Sequence, residues 1–219
     1  MMDDTEQKRH NMIVHQIKAR GIDNQLVIDT MMKIPRHKFV PDYLYECAYD
    51  DCALRVSNGQ TISQPYIVAM MTSLIDGDKT KHALEIGTGT GYQTAVLAEI
   101  CKNVVTIERI EELHLLAKAR LEEMGYDNIE CILGDGFEGY EKKAPYDVIL
   151  VTACPPEIPQ TLINQLAPGG KMVIPAGVES QFIYLVIKDS MGEISLERNI
   201  EVRFVSMIPD VIVKNMIGD

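Results

Sequence analysis

The chain has 219 residues, 46% of them hydrophobic, enough to bury one large core, and 32 Asp and Glu outweigh 21 Lys and Arg to leave a net charge of −11. That balance, with Lys8-Arg9 and Lys142-Lys143 as the only adjacent basic pairs, disfavours nucleic acid as a partner, and no apolar run nears the ~18 residues that span a bilayer. The five cysteines contain no C-x-x-C pair and the five histidines nothing spaced like H-E-x-x-H, so neither disulfides nor a metal is expected, only a soluble cytoplasmic protein, monomeric or weakly self-associating.

Met12, Ile13, Gln16 and Ile17 recur at helical spacing across residues 6–20, and Gly21 is placed to end that helix. Asp23 is placed to cap a second, shorter helix carrying Leu26, Val27, Ile28, Met31 and Met32, which must stop before Pro35. Phe39-Val40-Pro41 and the Tyr-rich stretch to Asp51 read as irregular or short helical structure laid over the main domain. A polar, proline-closed segment, Gly59-Gln60-Thr61-Ile62-Ser63-Gln64-Pro65-Tyr66, then leads into an apolar helix over 67–74. Residues 1–76 are therefore expected to form a cover and acceptor segment, packed as one structural unit with the domain over 77–219.

Beyond Asp76-Gly77 the chain alternates strand with helix. Strand 82–86 leads to helix 92–100, and strand 104–108 to a long helix over 111–124 closed by Gly125. Strands 129–133 and 146–152 are too apolar for a surface. Helix 158–166 ends at Pro168-Gly169-Gly170, and strand 171–175 follows. Two β-rich stretches, 181–188 and 193–205, joined by Asp189-Ser190-Met191-Gly192, complete the chain as an antiparallel hairpin at the sheet edge. The fold class is α/β, a doubly wound, mostly parallel sheet.

The first strand runs into Leu84-Glu85-Ile86-Gly87-Thr88-Gly89-Thr90-Gly91-Tyr92, three glycines at alternate positions before a helix. Such glycines allow sharp turns and close approach of a ligand to the main chain. A dinucleotide fingerprint would require a third glycine at position 92, where this chain has Tyr92. Glu85 is expected to hang a negative charge over the loop's mouth, repelling a pyrophosphate and suiting the sulfonium of S-adenosylmethionine. Glu108 ends the second strand at the ~20-residue offset from which a carboxylate reaches two ribose hydroxyls, with Arg109 beside it. Gly134-Asp135-Gly136 closes the third strand, where Asp135 can accept from an adenine amino group and Gly136 lets its N–H approach the ring. The expected cofactor site is thus Glu85, Gly87, Thr88, Gly89, Gly91, Tyr92, Glu108, Arg109, Gly134, Asp135 and Gly136. Ser63 has two readings: a cap for the helix that starts near Pro65, or a hydroxyl that donates to an acceptor's carboxylate.

Gly59-Gln60-Thr61-Ile62-Ser63-Gln64-Pro65, the glycine loop, Gly134-Asp135-Gly136, residues 144–159, Gln165-Leu166-Ala167-Pro168-Gly169-Gly170 and Pro35-Arg36-His37-Lys38-Phe39-Val40 together resemble the protein-L-isoaspartate O-methyltransferases. The resemblance runs from about residue 35 to 205, and its most particular segments are those around Ser63 and Pro155-Pro156. It implies a Rossmann-like methyltransferase fold and transfer of a methyl group from S-adenosylmethionine to the free α-carboxylate of isoaspartyl residues in damaged proteins and peptides, leaving S-adenosylhomocysteine. It further implies that Ser63 is the active-site serine, that Thr61 and Ile62 share in the donor site, and that Gln64, Val205 and Ser206 border the acceptor. The family commonly has proline where this chain has Ser206. Other expectations for a loop of this kind are an RNA or small-molecule methyltransferase, a dehydrogenase, and a module that binds the donor without turnover.

Overall fold

The computed structural model describes residues 3–213; the outermost ends of the two expected segments, 1–2 and 214–219, lie outside them. The first helix, α1 (Asp4–Asn11), opens with a capping box in which the Asp3 carboxylate accepts from Glu6 N–H at 2.7 Å and Glu6 accepts from Asp3 N–H at 3.2 Å. It continues as a π-helical stretch, Met12–Ile17, and a 3-10 turn, Lys18–Arg20, up to Gly21 at φ 87°. The one helix expected here thus has three geometries, and the wider π turn carries the buried Met12, Ile13 and Ile17.

Helix α2 (Gln25–Lys33) is capped by Asn24, whose side chain accepts from Val27 N–H, and not by the expected Asp23. A cap reaches the N–H two or three residues on, and Asp23 stands one position too early. After two 3-10 turns, Arg36–Phe39 and Asp42–Cys47, a short antiparallel pair, β1 (Leu54–Arg55) and β2 (Thr61–Ile62), sets up α3 (Pro65–Leu74).

The main sheet contains β3 (His82–Ile86), β4 (Asn103–Glu108), β5 (Ile129–Leu133), β6 (Tyr146–Val151), β7 (Leu166–Ala176), β8 (Gln181–Lys188) and β9 (Ile194–Val202), in the order β5-β4-β3-β6-β7-β8-β9. Strands β3 to β7 run parallel, and β8 and β9 add on antiparallel, as expected for this class. Helices α4 (Tyr92–Ile100), α5 (Glu111–Glu123) and α6 (Gln160–Gln165) form the crossovers. Two boundaries differ most from expectation. Strand β7 begins at Leu166 and passes through Pro168-Gly169-Gly170 with a register shift against β6, and β9 stops at Val202, which frees Phe204 and beyond.

Alternation along each strand sorts the core into two layers. Ala83, Val104 and Val148 join Met12, Met31 and Phe39 of the cover in one apolar cluster, so cover and sheet share a single core on that face. Leu84, Ile86, Ile107 and Ile149 pack the opposite face with Leu162 of α6. The chain steps from β3 outward to β5, then returns to place β6 on the other side of β3. That reversal opens a crevice beyond the carboxyl ends of β3 and β6, where a ligand of such a sheet belongs.

Candidate active site

A partly open chamber occupies this crevice. Its walls are Gly87 to Thr90 after β3, Glu108 to Ile110 after β4, Gly136 after β5, and Thr152-Ala153 after β6. Gln60 to Ser63 close it from the cover side, and Val205 to Ile208 from the chain beyond β9.

The glycine loop is held open by its backbone. Gly87 and Gly89 adopt φ of 93° and 54°, a left-handed conformation that costs other residues roughly 1–2 kcal/mol. Gly87 N–H and Thr88 N–H both donate to Ile107 C=O, at 2.8 and 3.2 Å, which ties the loop to the neighbouring strand. A Cβ on Gly87 would collide with Thr152 Oγ1, whose hydroxyl donates to Gly87 C=O at 2.7 Å. A Cβ on Gly89 would meet nothing within 4 Å, so the chamber is open against this stretch of main chain.

Glu108 is the hub of the chamber. Its Oε2 accepts from Gly89 N–H at 2.9 Å and its Oε1 from Ile110 N–H at 3.0 Å, with only 6% of the residue exposed. A carboxylate has about four acceptor sites, so each oxygen keeps a lone pair for a donor entering the chamber.

Glu85 is not at the mouth of the loop. It lies fully buried on the α4 face of β3, where Thr94 Oγ1 and Thr106 Oγ1 donate to its Oε2 at 2.5 and 2.6 Å. Strand alternation decides this, because the residue two before the first glycine points sideways into the core and not along the strand toward the crest. Burial pushes its carboxyl up to about 8, against the opposing pull of the two hydroxyls, so at pH 7 it is mostly neutral. The expected negative charge over the loop is therefore absent at this position, and Glu108 is the acidic residue that lines the chamber. Glu85 still bears on the loop, since Thr106 Oγ1 is joined at 2.7 Å to Thr88 Oγ1.

Four other expected site residues also stand behind the lining. Gly91, at φ 88°, is the N-cap of α4 and packs against Leu121 of α5. Gly134 donates its N–H to Glu108 C=O. Asp135 spends both oxygens on the protein: Oδ1 accepts from Phe137 N–H at 2.8 Å and Oδ2 from Asp210 N–H at 2.8 Å. Gln64 points to the cover, its side-chain amide donating to the C=O and Oδ1 of Asp51. The remaining ones, Thr61, Ile62, Ser63, Gly87, Thr88, Gly89, Tyr92, Glu108, Arg109, Gly136, Val205 and Ser206, are brought together around the one chamber.

Ser63 does not cap α3. The cap position is Gln64, with no side-chain cap bond and Pro65 next in the first turn. The serine lines the same chamber as the glycine loop, and its carbonyl accepts from Arg36 Nη2 at 2.7 Å.

The profile of the protein-L-isoaspartate(D-aspartate) O-methyltransferase family matches residues 7–211. The chain belongs to this family. It is 47% identical over 205 residues to a protein-L-isoaspartate O-methyltransferase of Picosynechococcus sp., covering 94% of this chain and 92% of the relative. It is 49% identical over 175 residues to one from Methanoculleus marisnigri, covering 80% of each. Among solved structures, a protein-L-isoaspartate O-methyltransferase superposes with a TM-score of 0.84 at 28% identity, over 93% of this chain and 67% of that one. A Plasmodium falciparum structure, described as a protein-L-isoaspartate O-methyltransferase in complex with S-adenosyl-L-homocysteine, gives 0.78 at 25% identity over 94% and 99%.

In this member of the protein-L-isoaspartate O-methyltransferases, the wall around Ser206 is fixed by the backbone on either side of it. Cys154 N–H donates to Val205 C=O and Met207 N–H to Cys154 C=O, both at 2.8 Å, so the anchoring bonds come from the neighbours of residue 206. From there a strap crosses the crest. Arg109 holds the carbonyls of Pro209 and Asp210, Ile212 N–H donates to Arg109 C=O, and Glu111 N–H at the start of α5 donates to Ile212 C=O.

Several lining residues were not expected. Thr152 and Ala153 follow β6 and obey the same strand-end rule that picked out Glu108 and Gly136, so they were within reach of the sequence. Met207 and Ile208 were not, because the chain beyond the hairpin carries no periodicity to place it.

Proposed function

We propose that this chain transfers a methyl group from S-adenosylmethionine to the free α-carboxylate of L-isoaspartyl residues in damaged proteins and peptides. The observation that carries this reading is that the Ser63 segment, the glycine loop and Glu108 line one chamber, in a chain of this family. The residues present fit the donor. Gly87, Thr88 and Gly89 offer main chain without an obstructing side chain to its amino-acid end, and Glu108 offers its remaining lone pairs to a diol. Ile110, Gly136, Met207 and Ile208 make a largely apolar slot for a flat ring, with Asp135 directly before Gly136 in the chain and behind that lining. When bound, the donor supplies a methyl group on positively charged sulfur.

The acceptor needs little chemical help. Its carboxyl, with an ordinary value near ~4, is ionised at pH 7, and no general base is required. Ser63 Oγ–H donates to one carboxylate oxygen, which leaves the other free to take the methyl group. Holding the reactants at about 3 Å in line and excluding water is worth ~7–11 kcal/mol of the barrier, and the cover and strap supply that enclosure. The ester product then loses methanol to the adjacent amide nitrogen and closes a succinimide, which hydrolyses in part to normal aspartate.

The test is methylation of a defined isoaspartyl peptide against its normal aspartyl twin. Only the former should accept the group, and equal labelling of both would refute the assignment. In the same assay Ser63→Ala should lower kcat/KM by about 10- to 100-fold, the size of one hydrogen bond to a charged group, with S-adenosylhomocysteine affinity unchanged. Full activity in this variant would remove the role given to Ser63.

Gly89→Ala probes the donor's path. With open space around its new methyl group the variant should lose only about 1–2 kcal/mol of stability, from the positive φ, while S-adenosylhomocysteine binding falls by more than tenfold. Calorimetric titration giving wild-type affinity would mean that the donor does not approach this residue.

No helix among the described residues is long and apolar enough to cross a membrane, and all five cysteines are free thiols, which suits a reducing, cytoplasmic setting.

A further inference from the structure

Arg36 is among the largest side chains with no solvent exposure, and it has no acidic partner among the described residues. Its Nε donates to Ala48 C=O and its Nη2 to Ser63 C=O, both at 2.7 Å. The guanidinium lies over the ring of Tyr92 at 4.8 Å, and Tyr92 lines the chamber. Its Nη1 has no acceptor. Burying a cation with no counter-ion is expensive, and burial accordingly pulls Arg36 below the ordinary guanidinium value. A neutral side chain would cover the same core at less cost. What the guanidinium adds is a rigid two-pronged grip, one prong on the cover at Ala48 and the other on the main chain of Ser63.

We propose that Arg36 is a positioning residue of the acceptor site, holding the Ser63 backbone so that the serine hydroxyl is presented to the acceptor's carboxylate. The inference rests on the role given above to Ser63. Around that serine, the chain is otherwise fixed by the two-residue pairing of β2 with β1 and by the Gln64 side chain on Asp51, neither of which holds the Ser63 carbonyl. Lysine keeps the charge but has one compact ammonium group and cannot reproduce the planar fork across two carbonyls.

A double-mutant cycle on the full chain tests this. Arg36→Lys should lower kcat/KM for an isoaspartyl peptide by about tenfold or more, while S-adenosylhomocysteine affinity by calorimetry stays within about twofold. Made in the Ser63→Ala background, the same substitution should cost less than about twofold further, because the residue it acts through is already gone. Equal losses in both backgrounds, or a parallel fall in S-adenosylhomocysteine affinity, would overturn the proposal and leave Arg36 a general packing residue. A neutral Ser63→Ala would overturn both the reading of the serine and this inference, so the two failures are told apart by the single variant. Should Arg36→Lys not fold, NMR of wild-type protein labelled in its arginines replaces it. The buried Arg36 Nε–H signal should move when isoaspartyl peptide is added to the S-adenosylhomocysteine complex, and an unmoved signal would refute the coupling.

Discussion

Glu85→Gln is expected to remove a decline in stability of about 4–5 kcal/mol that the parent protein undergoes as pH rises from about 4.5 to about 8. The cause is a carboxyl shut between β3, β4 and α4, whose burial outweighs the two threonine hydroxyls and lifts it to about 8 from an ordinary 4.5. Between those values the unfolded chain releases the proton and the folded chain retains it. Stability from this group is therefore complete below about pH 4.5, falls by about 1.4 kcal/mol per pH unit, and is gone above about pH 8. Glutamine has no proton to lose and takes no part in that slope. It does place an amide group where Oε1 is buried without a partner, a pH-independent penalty of about 1–3 kcal/mol. Urea denaturation of both proteins at several pH values separates offset from slope. Parallel curves for the two would show that Glu85 ionises normally in the fold.

Glu108→Gln should weaken S-adenosylhomocysteine binding on the order of 100-fold or more. The carboxylate takes one backbone N–H on each oxygen, from Gly89 and Ile110, and so clamps the glycine loop to the start of α5. Glutamine turns one of those acceptors into a donor facing another donor. Hydrogen bonds to a charged group contribute about 1.5–3 kcal/mol each, and about 1.4 kcal/mol is a tenfold change in affinity. The variant loses loop geometry and diol recognition together, so kcat/KM should fall at least as far as affinity. Glu108→Asp keeps the charge but draws it back by one methylene, and is expected to lie between the two. Titration calorimetry returning the parent Kd for Glu108→Gln would remove the residue from the donor site.

The sheet and the glycine loop were legible in the sequence because they rest on local signals: apolar runs of strand length, glycines at alternate positions, and a carboxylate at the next strand's end. Boundaries failed where a neighbour competes. Asn24 and Asp23 are both good caps, and only the position of Val27 N–H chooses between them. Glu85 was misplaced for a reason available in the sequence, since a residue within a strand must point to one face or the other. Asp135 and Gln64 were placed at the right strand end and loop, but their partners, Asp210 and Asp51, lie at the far end of the chain and in the cover. No spacing rule reaches such contacts. The cap reading of Ser63 fails by a shift of one residue in the helix start.

The strap over the crest makes the chamber a long-range assembly. Lining contributed by Gln60 and by Ile208 comes from distant stretches of one polypeptide, with the whole parallel sheet between them. Strands β3 to β7 and the glycine loop precede the strap in the chain, and the crest is roofed where Val205 to Ile212 dock on Cys154, Arg109 and Asp135. Competence to grip the donor thus depends on the strap, and a chain cut before Val205 has the glycine loop without one wall of the binding cavity.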